Sequence, residues 1–114
     1  KSQIQQVVMN LVRNALEALA LGQIDVAEVL IRTGCTPDGD VQIRVCDNGP
    51  GVDTSILHRI FDPFCSTKPT GTGLGLPISR TIVRTHGGAL DYRPNVPAGA
   101  CFVLSLPSTR ADQI

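Results

Sequence analysis

Asn10 and Asn14 stand four residues apart in a stretch that meets no Pro or Gly until Gly22. Residues at that spacing lie on one helix surface. An amide oxygen there is a neutral hard ligand, suited to Mg²⁺ that also takes phosphate oxygens and waters. Two asparagines on a helix read equally well as a solvated polar stripe, although Asn is a mediocre helix former and a mid-helix pair asks for a reason.

The run Asp47-Asn48-Gly49-Pro50-Gly51 is a second candidate. Asn-Gly signals a tight hairpin, but a helix start follows instead of a partner strand. Asp47 ends an apolar strand face, where a carboxylate needs a specific partner. It can accept a hydrogen bond from an exocyclic amine such as the N6 of adenine, and Gly49 and Gly51 let backbone approach a flat base closely.

The third is Gly71-Thr72-Gly73-Leu74-Gly75-Leu76, running into a helix at Pro77. Alternating glycines can aim successive backbone N–H groups into a concavity, and a helix N-terminus favours anions. The spacing is neither a dinucleotide fingerprint nor a Walker A loop, and a flexible loop is the plain alternative. Lys68, three residues upstream, is a mobile charge for a phosphate. Together the clusters supply a base-edge acceptor, a metal ligand and a phosphate cradle.

The elements that must position them follow from periodicity. Over residues 1–20, Ile4, Val7, Val8, Leu11, Ala15 and Leu19 make one apolar helix face, opposite Gln3, Gln6, Asn10, Arg13, Asn14 and Glu17. Val26–Arg32 and Val41–Asp47 read as strands joined through Gly34–Asp40, with Val41, Ile43, Val45 and Asp47 on one face. A short helix is expected after Gly51, capped by Asp53, Thr54 or Ser55 and apolar along Ile56, Leu57 and Ile60. Residues 61–76 show neither period and read as a loop. A helix from Pro77 through Ile78, Ile82 and Val83 should stop at Gly87. Ala89–Arg93 and Ala100–Leu106 form a closing hairpin around Pro94–Gly99, and the tail from Ser108 frays. The order predicts an α+β fold over residues 1–107, with about three helices on one face of a mixed, mostly antiparallel sheet.

Composition excludes several classes. The chain has 114 residues, and ten Lys+Arg against ten Asp+Glu leave no net charge for a general grip on nucleic acid or acidic lipid. With no Trp, one Tyr and three Phe there is no stacking platform for single strands. The longest unbroken apolar run, Ala100–Leu104, is far too short for a membrane span. Cys35, Cys46, Cys65 and Cys101 contain no CxxC pair, which fits neither a zinc knuckle nor a dense disulfide framework. A reduced, cytosolic protein is the expectation.

Asn10-Leu-Val-Arg-Asn14-Ala resembles the N box of the ATP-binding catalytic domain of sensor histidine kinases, within the GHKL ATPase superfamily. Asp47–Gly51 resembles the first glycine box of that family, Phe61-Asp-Pro-Phe64 the F box and Gly71–Leu76 the second glycine box. His86-Gly-Gly and the strand ending at Pro107 are also usual there. The resemblance covers about residues 3–107 in family order, and Ser66-Thr67-Lys68 looks most like the nitrogen-regulatory and oxygen-sensing branch. It implies a two-layer α/β sandwich holding ATP under a lid. By position Asn14 would hold Mg²⁺, with Asn10 near the phosphates. Asp47 would accept the adenine amine, with Gly49 and Gly51 packing near the base. Residues 65–73 would be the lid, with Lys68 on a phosphate. Thr72, Gly73, Leu74, Gly75 and Leu76 would form the phosphate turn, with Phe61 and Phe64 bracing the lid. The family domain begins with a strand before the first helix, which this chain is expected to lack in part. Cys65, where relatives often carry a bulkier residue, is expected to alter packing.

No phosphoacceptor histidine with its acidic flank is present, and His58 and His86 read as structural. The resemblance therefore implies a kinase module that presents the ATP γ-phosphate to a histidine on a separate dimerisation domain, from which a response regulator is charged. The parent would be a homodimer, with or without a membrane anchor, while this chain is compatible with a monomer. Two other readings stay open. Hydrolytic relatives carry a Glu one turn before the metal-binding Asn, where this chain has Asn10, a poor base. In a nucleotide-gated interaction module, ATP would only order the lid.

Overall fold

The first helix exists because one face of the sequence is apolar at helical spacing. In a computed structural model that describes residues 2–62 and 75–107, α1 spans Gln3–Gly22 and buries Ile4, Val7, Leu11, Ala15 and Leu19. Ser2 caps it, its side-chain oxygen accepting from the Gln5 N–H at 3.2 Å. The left-handed residue that ends it is Gln23, φ 53°, rather than Gly22. Gly22 serves another purpose: a Cβ there would lie 2.8 Å from Cδ of Pro50.

Four strands follow, β1 (Val29–Cys35), β2 (Val41–Asp47), β3 (Ala89–Pro94) and β4 (Ala100–Leu106). They form one sheet in the order β1-β2-β4-β3. Every neighbouring pair is antiparallel, so the parallel component expected of a mixed sheet is absent among the described strands. β1 begins three residues later than its apolar run suggested. Residues before it are held by a side chain instead of a ladder: the Asn48 amide accepts from Glu28 N–H at 2.8 Å and donates to the Val26 carbonyl at 2.6 Å. The β1–β2 turn is correspondingly tighter than expected, closing between Thr36 and Asp40 with Gly39 at φ 89°.

α2 spans Gly75–Thr85, starting two residues before the expected Pro77. Pro77 still falls in the first turn, where its missing N–H has no intrahelical partner to lose. The helix stops where expected. Gly87 takes φ 81°, Gly87 N–H donates to Arg84 O at 2.9 Å, and Gly88 N–H donates to Val83 O at 3.0 Å. That pair of bonds is a Schellman ending. The third helix shrinks to one 3₁₀ turn, Leu57–Arg59, preceded by Asp53 accepting from Ser55 N–H at 2.9 Å. Ile60 is buried, so the apolar residues meet the core without a full helix.

The two α-helices pack on one face of the sheet. Ile4, Val7, Leu11 and Ala15 meet Ile43, Val45, Leu104, Leu106 and Val83 in a single core. β4, central in the sheet, is buried along nearly its whole length, whereas β1 at the edge is almost entirely exposed. No described helix is long and apolar enough to cross a membrane.

The sheet pairs two of the cysteines, which their spacing did not suggest. The β2–β4 register sets Cys46 opposite Cys101 with Cα atoms 4.0 Å apart, and the two are disulfide-bonded. Cys35 is free and exposed. Spacing along the chain says nothing about which cysteines a sheet brings face to face. Phe64, Cys65, Lys68, Thr72, Gly73 and Leu74, with the tail from residue 108, lie outside the described residues.

Candidate functional site

Antiparallel pairing delivers Asp47 to the end of β2, opposite Val29. Only 4% of the residue is exposed. Its carboxylate accepts from Gly49 N–H at 2.9 Å, and among the described residues no Lys or Arg pairs with it. The chain then turns over the C-terminal half of α1. A Cβ on Gly49 would meet Asp47 Oδ1 at 3.1 Å and the Ala18 backbone at 3.6 Å. Gly51 has φ 78°, and a Cβ there would lie 3.1 Å from Gly99 O. The contacts that demand these two glycines are therefore with the chain itself, on both sides of the Asp47 corner.

Two turns back along α1, Asn10 faces the start of α2. Its amide donates to Ser79 Oγ at 2.9 Å, and a Cβ on Gly75 would lie 3.1 Å from the same amide. Gly75 is thus where the second helix can approach the first. A cleft of about 160 Å³ opens beside this contact, lined by Gln6, Val7, Asn10, Gly75, Ile78, Ser79 and Ile82. Asn14 lies half-buried between the two ends. Asn10, Asn14 and Ala18 occupy successive turns of α1, ~6 Å apart each. One helix therefore runs past an acid-lined corner at one end and a small-residue helix contact at the other. Leu76 follows Gly75 in the first turn of α2 and packs against the core.

Neither histidine joins this arrangement. His58 sits exposed in the 3₁₀ turn, and His86 Nδ1 donates to Ile82 O at 2.9 Å at the end of α2. Phe61 is a core aromatic, set edge-on to Phe102 at 6.4 Å between centroids, with the Arg80 guanidinium 4.2 Å above its ring.

Residues 1–110 match the family described as histidine kinase-, DNA gyrase B-, and HSP90-like ATPase. The chain belongs to that family. Among curated proteins it is 42% identical to the C4-dicarboxylate transport sensor protein DctS of Rhodobacter capsulatus, over 91% of this chain and 16% of that protein. It is 41% identical to the sensor protein FixL of Bradyrhizobium diazoefficiens, over 93% of this chain and 21% of that protein. The catalytic domain of histidine kinase ThkA has a similar fold, with TM-score 0.78 and 34% identity over 93% of this chain and 66% of that one. The chain thus spans about a sixth to a fifth of the curated relatives' length. It is an ATP-binding domain of the sensor histidine kinase type.

In this kinase-type domain the structure brings Asp47, Gly49 and Gly51 together at one corner, and Asn10 and Gly75 at the other. Three residues escaped the sequence reading. Ser79 is buried at 3% exposure as the partner of Asn10. Four residues beyond Gly75, on the same helix face, it was a findable partner for an amide. Asn95 donates to the Asp47 carbonyl at 2.8 Å, and Gly99 lies directly against that carbonyl. Both belong to the β3–β4 hairpin, which sequence order places far from Asp47, so no local signal marked them.

Proposed function

We propose that this domain holds Mg-ATP along α1, with adenine at the Asp47 corner and phosphates toward Asn10, and presents the γ-phosphate to a histidine on a separate dimerisation domain. The observation that carries this reading is Asp47: a carboxylate so buried, satisfied among the described residues by a backbone N–H and not by a cation, is costly unless a ligand donor completes its shell. An exocyclic amine is such a donor.

The metal assignment suits the donor set. No cluster of three His, Cys, Asp or Glu exists among the described residues. Mg²⁺ commonly takes only one or two protein oxygens and completes its shell with phosphates and waters, so the Asn14 amide oxygen is an adequate anchor. Bound Mg²⁺ supplies neutralisation of charge on the phosphate oxygens. The protein's part is then positioning, with Asn10 held toward α2 by Ser79 and with Lys68, Thr72, Gly73 and Leu74 as further phosphate contacts and Phe64 bracing the lid by their place in the sequence. Asn10 cannot take up a proton near neutral pH, which favours transfer over hydrolysis. The phosphorylated histidine would in turn serve a response regulator.

Calorimetric titration with ATP, with and without Mg²⁺, tests the site. Saturable binding strengthened by Mg²⁺ is expected, and Asn14→Ala should abolish the Mg²⁺ effect while leaving metal-free binding near that of the parent. Retained Mg²⁺ dependence moves the metal elsewhere. A supplied dimerisation domain should then gain phosphate on histidine, whereas turnover to free phosphate alone would favour the hydrolase reading.

A further inference from the structure

The corner at Asp47 is held by a residue far away in the chain. The β2–β4 register ends at the rung Cys46↔Cys101, one residue before Asp47. In a continuing antiparallel ladder the next β2 carbonyl would take its donor from β4 backbone. Here the donor is a side chain: Asn95 Nδ2 donates to the Asp47 carbonyl at 2.8 Å.

Asn95 is itself fixed at three points. Its backbone N–H donates to Gly99 O at 3.1 Å, closing the β3–β4 hairpin. Its Oδ1 accepts from Val96 N–H at 3.1 Å. Turning the amide over would set oxygen against the Asp47 carbonyl and NH₂ against the Val96 N–H, so the two partners fix its orientation. Gly99 lies so close to the Asp47 carbonyl that a Cβ there would collide with it. The Asp47 carbonyl is thus gripped by Asn95 while its carboxylate is gripped by Gly49 N–H. A carboxylate whose own peptide group can rotate discriminates poorly, because it follows whatever donor is offered. One whose peptide is pinned presents its acceptor lone pairs in fixed directions.

From this geometry we propose that Asn95 is a specificity-positioning residue: by pinning the Asp47 peptide it sets the direction in which Asp47 accepts a hydrogen bond from the base. The proposal rests on Asp47 reading the base. Asn95 touches no nucleotide itself. Its effect is on the preference for an amino-bearing purine over one carrying oxygen at that edge.

The measurement is the ratio of ATP to GTP affinity, by calorimetry on the chain and on Asn95→Ala, Asn95→Asp and Asp47→Asn. Because both nucleotides are measured on one protein, partial unfolding weakens them alike and leaves the ratio untouched. Asn95→Ala should lower the ratio about fivefold, the loss of one hydrogen bond. Asn95→Asp, which sets an acceptor against the carbonyl, should lower it further. Asp47→Asn should lower it most, and adding Asn95→Ala to it should do nothing more, since the two act as a unit. If Asp47→Asn collapses the ratio and both Asn95 variants keep it within twofold, Asn95 is merely structural and the proposal is overturned. If Asp47→Asn itself keeps the ratio, the base reading by Asp47 fails first.

Discussion

The two ends of the candidate site are built by different means. At the Asp47 corner, chain meets chain through backbone: a ladder end, a hairpin closing on it, and glycines at 49, 51 and 99 whose missing Cβ atoms are the condition of contact. At the Asn10 end, among the described residues, two helices meet through a side-chain hydrogen bond, the small residue Gly75 and apolar packing around Val83. A sheet corner of the first kind is over-determined, since moving any strand breaks several bonds at once. The helix contact is made by side chains, beside a cleft into which they can shift. The Asp47 corner is therefore suited to holding a fixed geometry, and the Asn10 end to small adjustment.

The sharpest way to break the contrast is Gly99→Ala. The new Cβ would collide with the Asp47 carbonyl at a φ of 111°, so both space and backbone oppose it. A loss of at least about 2–3 kcal/mol is expected, read from the urea midpoint. Gly34→Ala is the control, for a Cβ there meets nothing within 4 Å. Equal midpoints for the two variants would show that the corner is not rigid.

Ser79→Ala probes the other end more gently. It leaves the Asn10 amide short of its partner, at a cost of about 1 kcal/mol. Affinity for ATP should fall by a few-fold at most, with the ATP to GTP ratio unchanged. A shift in that ratio would mean the two ends are not independent.

The smallest effect belongs to Asp53, outside both ends. The Ser55 backbone N–H, followed by its side chain, holds the Asp53 carboxyl below its ordinary value. A depressed carboxyl stabilises the fold above its unfolded value, about 3.9, and loses that contribution as pH falls through the folded value below it. Asp53→Asn should therefore lower the urea midpoint slightly at pH 7, with the gap closing in acid. A gap that persists at about pH 2 would place its origin in packing, not charge.

Local chemistry made much of this legible. Asp47 at the end of an apolar face is a contradiction that residue types alone expose, and its burial follows once β2 pairs on both sides. α1 is equally readable, because one period holds over twenty residues. β1 is not: as an edge strand exposed on both faces, it carries no alternation to fix its start, and the Asn48 side chain decides it. The short helix expected after Gly51 had a cap and an apolar side but little length, and a 3₁₀ turn satisfies both.

By itself, the sequence determined where the two α-helices and the strands lie to within a few residues, which faces are apolar, and that a carboxylate, two amides and a glycine run had to find partners. Those are properties of neighbours along the chain, set by periodicity and by the cost of burying polar groups. Only the tertiary structure decided that Cys46 faces Cys101, that Ser79 receives Asn10, and that Asn95 and Gly99 close on the Asp47 carbonyl. Each joins residues dozens of positions apart, and strand register and helix approach, which bring them together, are set by the whole core at once.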